Sequence, residues 1–244
     1  MLKHVRMSLL LLGYMLSSSV LAIGPGGSAR ASRNGARFCR WTLRLLGVEV
    51  NIIGKAETVL LVANHLSYID ILTLLALHGC RFVTFTELGE SAGIGLITKV
   101  SQAFYVNRSK PSLVRRDIEK LERELQRGVQ FAFFPEGSSF DGSFLRPFKS
   151  SLFESAIRTN TNIQPVCLRY ISLDDEPITL KNRDRVFYHG DMQLIPQLLG
   201  ILKIKRLRVE LVYGPVIETK GKTRKEVANL AHQEIAKHFL PVVL

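Results

Sequence analysis

The stretch Val59–Asp70, VLLVANHLSYID, constrains the fold more than any other part of the chain. An apolar run, Val59 to Ala63, stops abruptly at Asn64-His65. The run is short and partly β-branched, and polar turn formers follow it, which predicts a buried strand. From Asp70 the pattern changes. Asp70-Ile-Leu-Thr-Leu-Leu-Ala-Leu predicts a helix that ends before Gly79. His65 then sits at the C-terminal lip of a strand, in the crevice where open α/β sheets place their chemistry.

The spacing of His65 and Asp70 sharpens this reading. On one continuous helix, residues five apart point about 140° away from each other, at about 3.6 residues per turn. In a turn before the helix, the His65 ring can instead fold back toward Asp70. Asp70 then accepts from one ring nitrogen and leaves the other as a base. A weak nucleophile such as an alcohol needs a base of this kind. The stretch by itself also fits a plainer reading, a turn followed by a helix N-cap or first-turn acid.

The rest of the chain alternates strands and helices. Val48–Ile53, Arg81–Phe85, Ala103–Val106, Val129–Phe134 and Arg206–Tyr213 are expected strands. Ile163–Leu168 is another, and Pro165 predicts a bulge or an edge position for it. Helices are expected from Pro111 to Gly128, over Ser150–Arg158, after Gly190-Asp191 through Leu199, and over Thr223–Phe239. This order predicts an α/β fold whose sheet is mixed and mainly parallel, flanked by helices. A length of 244 residues suffices for one such domain with a sizeable core. Gly93-Ile-Gly-Leu-Ile fits either a groove that admits a ligand chain closely or a glycine-weakened helix closing on the core.

Charge is unevenly spread. The net charge is +12, from 33 Lys and Arg against 21 Asp and Glu. Half of that excess lies in the first fifty residues, where Lys3, Arg6, Arg30, Arg33, Arg37, Arg40 and Arg44 face Glu49 alone. Such an arm suits an anionic surface. The apolar run Met7–Ile23 in the same arm favours a membrane over nucleic acid, for which no motif is found. That run fits a cleaved signal, a span or an interfacial anchor. If it stays, the basic cluster Arg30–Arg44 puts the main domain on the cytoplasmic side of an inner membrane. Gly24-Pro-Gly-Gly-Ser is expected to be a flexible break, so residues 1–35 read as anchor and basic linker and 36–244 as the domain. Arg37–Leu46 fits an amphipathic helix, either on the membrane or packed on the domain as an ordinary surface helix.

The three cysteines, Cys39, Cys80 and Cys167, are odd in number and scattered, which suggests a reduced compartment. They form no metal-ligand spacing and the six histidines do not cluster, so neither a metal nor a bound cofactor is expected.

Two further strand ends carry suggestive groups. Ala103–Val106 ends in Asn107-Arg108, and Val129–Phe134 stops at Pro135-Glu136-Gly137-Ser138-Ser139. In an open sheet such ends converge in one crevice. A base there takes a hydroxyl proton, a guanidinium holds a phosphate or carboxylate bidentately, and the Glu136 carboxylate and the backbone amides around Gly137 orient the bound molecule.

Four blocks in order resemble the lysophospholipid acyltransferases, typified by 1-acylglycerol-3-phosphate acyltransferases. Asn64-His65-Leu66-Ser67-Tyr68-Ile69-Asp70 resembles the N-H-x-x-x-x-D block. Phe104–Arg108, FYVNR, is similar to the second block and Phe134–Ser138, FPEGS, to the third. Gln164-Pro165-Val166 fits the fourth, and Pro147-Phe148-Lys149 matches the Pro-Phe-Lys that follows the third block in many members. There are departures: Gln102 stands where a glycine is usual, Ser138-Ser139 where threonine and arginine are usual, and Ser151 where a glycine is common.

The resemblance implies acyl transfer from acyl-CoA or acyl carrier protein to a lysolipid hydroxyl. It implies His65 as general base and Asp70 as the group that orients it. Asn64, Arg108, Glu136, Gly137, Ser138 and Lys149 are implied substrate-binding residues, with Arg108 on the acceptor's phosphate. The acceptor is expected to be 1-acyl-sn-glycerol-3-phosphate. The departures leave room for another lysolipid such as a lyso-ornithine lipid. The rival readings are a non-catalytic lipid-surface binding protein and a hydrolase that uses the same base on water.

Overall fold

The computed structural model describes residues 3, 5–7, 9, 12–13, 27–90, 98, 103–107 and 109–243. The strands are β1 (Val48–Ile53), β2 (Leu60–Ala63), β3 (Arg81–Phe85), β4 (Phe104–Val106), β5 (Phe131–Phe133), β6 (Ile163–Leu173), β7 (Glu176–Pro177) and β8 (Leu207–Tyr213). They form one sheet in the order β1-β8-β6-β2-β5-β3-β4, with β7 paired to β6 as a hairpin. β6, β2, β5, β3 and β4 are mutually parallel, whereas β8 runs antiparallel to β6 and parallel to β1. The sheet is therefore mixed and mainly parallel, as the alternation of elements predicts.

The helices are α1 (Gly27–Leu46), α2 (Tyr68–His78), α3 (Thr86–Glu90), α4 (Pro111–Gln126), α5 (Phe153–Thr159), α6 (Leu194–Ile201) and α7 (Arg224–Ala236). Their placement follows from the handedness of the crossovers. The chain passes from β2 across β5 to β3 and on to β4, then returns to β5 and crosses β2 to β6. Right-handed crossovers put the helices of these two progressions on opposite faces. α1 and α2 pack together on one face, and α4, α5 and α7 pack on the other. The reversal falls between β2 and β5, so the loops that leave those two strands bound a crevice.

Both faces of β2 are covered, which is why Leu60-Leu61-Val62-Ala63 is apolar throughout rather than alternating. Leu61 and Ala63 join the core under α1 and α2, while Leu60 and Val62 join the one under α4, α5 and α7. On α1 the buried residues Ala36, Cys39, Leu43 and Leu46 recur at helical spacing and face the domain. Arg40 Nη1 ties this helix to α2 by donating to Ala76 O at 2.6 Å. The opposite face exposes Arg33, Arg37, Arg44 and Trp41, the last 60% exposed.

Two expectations need correction. Pro165 is neither at an edge nor bulged: β6 lies inside the sheet, and its irregularity falls between Tyr170 and Ser172. The proline is tolerated because the antiparallel ladder with β8 starts at Val166; at Pro165 itself only the carbonyl is engaged, accepting from Gly214 N at 2.9 Å. Helix α1 starts at Gly27, inside the expected flexible break, and runs through the 35/36 boundary. No helix among the described residues is long and apolar enough to cross a membrane. Most of Met7–Ile23 and all of Gly93–Ile97 lie outside the described residues.

Candidate active site

The turn between β2 and α2 is built around Asp70. Ser67 is the N-cap of α2, in extended backbone, and Asp70 is the third helical residue. The Ser67 side chain accepts from Ile69 N, and Asp70 Oδ2 accepts from Ser67 N at 2.8 Å and Leu66 N at 2.6 Å. This is a capping box, with an aspartate in place of the usual glutamate. The same Oδ2 lies 3.0 Å from His65 Nδ1. Both sequence readings of Asp70 therefore hold together: it is the first-turn acid and the partner of the imidazole.

Facing a carboxylate that accepts, a neutral imidazole in this position carries its proton on Nδ1 and leaves the Nε2 lone pair free. Nε2 has no hydrogen-bond partner among the described residues. The ring is fixed by stacking on Phe134, with centroids 3.9 Å apart and planes 6° apart, and Phe134 in turn stacks on Phe82 at 5.1 Å.

Glu136 joins the two loops of the crevice from below. It is 2% exposed, its Oε1 accepts from His65 N at 2.7 Å, and its Oε2 accepts from Arg146 N at 3.3 Å. Burial pushes its carboxyl up to about 7; the two backbone N–H groups oppose that shift. Phe140 N donates to His65 O at 3.1 Å and closes the same junction from the other side.

A cavity of about 420 Å³ opens beside His65. Its walls include Tyr68, Phe82, Phe85, Phe134, Leu152 and Tyr188, and its rim includes Gly137, Ser138 and Ser139. Mostly apolar walls with a few convergent polar groups suit a chain-bearing substrate. Gly137 holds a positive φ of 84°, and a Cβ there would stand 2.7 Å from Lys149 Nζ, so glycine is required both for the turn and for the approach of the ammonium.

Of the expected site residues, the structure brings His65, Asp70, Gly137 and Ser138 to one cavity edge, with Lys149 packed behind Gly137. Two are displaced from the roles expected of them. Asn64 is fully buried and does not face the cavity; its amide donates to Leu168 O at 3.0 Å and accepts from Leu168 N at 2.8 Å, bracketing β2 to β6. Glu136 is likewise buried and is not among the residues that line the cavity; each of its oxygens accepts from a backbone N–H. Arg108 lies outside the described residues; Asn107 before it is anchored by Asp117 Oδ2 at 3.0 Å.

Sequence reasoning passed over Tyr170, Tyr188 and Arg146. Tyr170 Oη donates to Asp70 Oδ1 at 2.6 Å. Tyr188 reaches the cavity because its N–H donates to Leu66 O at 2.9 Å, and Ser67 Oγ donates to Val186 O at 2.7 Å. Neither link has a local signature, because each joins segments a hundred residues or more apart.

The comparisons agree with this geometry. A family model described as Acyltransferase matches residues 48–169. A lyso-ornithine lipid O-acyltransferase of Rhizobium meliloti is 29% identical over 204 residues, covering 79% of this chain and 70% of that protein. A 1-acyl-sn-glycerol-3-phosphate acyltransferase of Neisseria gonorrhoeae is 34% identical over 198 residues, covering 77% and 74%. The crystal structure of the 1-acyl-sn-glycerophosphate acyltransferase PlsC from Thermotoga maritima superposes with a TM-score of 0.60 at 17% identity, over 97% of each chain, and so shares the fold. The chain belongs to the acyltransferase family that includes the lysophospholipid acyltransferases, and it is an O-acyltransferase.

Proposed function

We propose that the protein moves a fatty acyl group from acyl-CoA or acyl carrier protein to the free hydroxyl of a lysolipid, with 1-acyl-sn-glycerol-3-phosphate as acceptor and phosphatidic acid as product. The observation that carries this reading is the His65 Nδ1–Asp70 Oδ2 contact of 3.0 Å on a histidine that lines a largely apolar cavity. His65 Nε2 takes the acceptor's hydroxyl proton as its oxygen attacks the thioester carbonyl. Asp70 stabilises the imidazolium that forms. The tetrahedral intermediate collapses by breaking the C–S bond, and the proton passes from Nε2 to the departing thiolate. The backbone N–H groups of Ser138 and Ser139, without acceptors among the described residues, are the donors nearest to hand for the oxyanion.

A lyso-ornithine lipid is the second acceptor reading. It is favoured by Ser138-Ser139 at the cavity rim, where the resemblance leads one to expect threonine and arginine, and by the name of the Rhizobium relative. The basic, Trp41-bearing face of α1 supports placement on an anionic membrane, with the domain on its cytoplasmic side.

The test is transfer of a labelled acyl group by the purified protein to a panel of lysolipids, from either donor. Transfer to the phosphate-bearing acceptor supports the first reading. Selective transfer to the ornithine acceptor replaces it with the second. Free fatty acid released at the same rate without any lysolipid identifies a hydrolase. No acyl turnover from either donor returns the case to a lipid-surface binding protein.

A further inference from the structure

Arg146 is bolted to the catalytic turn by one carboxylate. Its backbone N–H and that of His65 donate to the two oxygens of Glu136, at 3.3 and 2.7 Å. The position of the Arg146 backbone is therefore fixed relative to His65. Its guanidinium Nη1 donates to Ser138 Oγ at 2.8 Å, and its Cζ lies 5.2 Å from the Phe140 ring centroid. Ser138 lines the same cavity as His65.

The charge of this guanidinium is felt by Glu136, whose carboxyl it holds down against the effect of burial, but no ion pair forms. No carboxylate of the described residues lies within ion-pair distance of it, whereas Arg158, Arg169 and Arg183 each pair with an acid. Of the five N–H donors of a guanidinium, Ser138 takes one. Lys149, whose Nζ packs against Gly137 Cα, has no ion pair either. Two cations outside any ion pair thus flank the Gly137-Ser138 turn, whose residues line a cavity with mainly apolar walls. A guanidinium outside any ion pair and placed over an aromatic ring is suited to bidentate capture of an oxyanion.

We infer that Arg146, with Lys149 beside it, holds the anionic oxygen group of the acceptor's head, a phosphate or a carboxylate, while the acceptor's hydroxyl meets His65. The inference rests on the lysolipid acyltransfer proposed above and names the residue that selects the acceptor. The rigid Glu136 link sets the span between anion and reacting hydroxyl.

The experiment measures binding without donor, by calorimetry in uncharged detergent micelles. The full-length protein is titrated with 1-oleoyl-glycerol-3-phosphate, with an N-acyl ornithine lysolipid bearing a carboxylate, and with 1-oleoyl-glycerol, which has no anion. Wild type, Arg146→Ala, Arg146→Lys and the surface control Lys225→Ala are compared. Arg146→Ala is expected to weaken at least one anionic lipid tenfold or more and to leave the neutral lipid unchanged. Arg146→Lys is expected to fall between, and Lys225→Ala to match wild type. The lipid most affected identifies phosphate or carboxylate as the group held.

The inference is overturned if wild type binds all three lipids equally, if Arg146→Ala weakens none, or if it weakens all three alike. Acyl-transfer assays on the same variants separate the two readings. Anion binding that depends on Arg146 in a protein showing no transfer would remove the enzyme reading and keep the subsite. Transfer that depends on His65 but not on Arg146 would do the reverse.

Discussion

Tyr170 Oη donates to Asp70 Oδ1 at 2.6 Å, so the two oxygens of that carboxylate serve different masters. Oδ2 takes His65 Nδ1 and the N–H groups of Leu66 and Ser67, and Oδ1 is held from the sheet by a phenol on β6. Burial raises the Tyr170 hydroxyl well above the usual phenol range, which keeps it a donor at every working pH. The carboxylate cannot swing without breaking contacts to both α2 and β6.

Tyr170→Phe removes one donor from Asp70 and almost no volume. The negative charge then concentrates on the bond to His65, which favours the imidazolium. The acid limb of the pH–kcat profile is expected to move up, with kcat about tenfold lower, a loss of about 1.4 kcal/mol, and the acceptor KM unchanged. An acid limb that stays in place would reduce Tyr170 to a packing residue.

His65→Ala removes the base while leaving the capping box of α2 intact, since Asp70 still accepts from Leu66 and Ser67. The expected loss of kcat is about 10²–10⁴-fold, the range for a general base. Binding of acceptor and far-UV circular dichroism are expected to match wild type. Turnover near the wild-type rate would reject the assignment.

Asn64→Ala acts on stability, not on substrate. It strands both the N–H and the C=O of Leu168 in the core between β2 and β6. Each orphaned buried group costs about 1–3 kcal/mol. Urea unfolding should show that loss, and the acceptor KM of the folded fraction should not change. An unaltered midpoint together with a raised KM would restore the substrate role expected from the sequence.

Glu136 gives a pH signature. Its carboxyl is raised to about 7 in the folded protein from an ordinary value of 4.5. Because the folded value is the higher one, its contribution to stability is complete below pH 4.5. That contribution falls as pH rises toward 7 and is flat above it. The span corresponds to about 3–4 kcal/mol, at about 1.4 kcal/mol per unit. Glu136→Gln cannot ionise, so its stability relative to wild type should improve between pH 5 and pH 8. Parallel stability curves for the two proteins over that range would contradict this account.

Much of the fold was legible because its signals are local. The apolar run of β2 needs both faces covered, the Ser67–Asp70 spacing caps a helix, and Gly79 ends it in a left-handed conformation with φ of 58°. Pro165 misled because its effect depends on which partner strand has already ended, and that is not written near residue 165. Asn64 and Glu136 stood in the right blocks but were read as facing substrate. Asn64 is tied down by β6, remote in the chain, and Glu136 by the distant His65 turn together with Arg146 further along its own loop.

The sequence alone determined the alternating α/β frame and the strand-lip position of His65, and it allowed the fold-back of the ring toward Asp70 beside a plain capped turn, since each depends on spacing over a few residues. Tertiary structure decided which polar groups face the cavity and which face one another. Tyr170 on Asp70 and Glu136 beneath His65 come from the order in which strands sit in the sheet, while Glu136 and Ser138 meet Arg146 through the folding of the loop between β5 and α5. The crossing of the chain between β2 and β5 sets that order, because a polar side chain's neighbours are fixed by the packing of distant segments and not by the residues next to it in the chain.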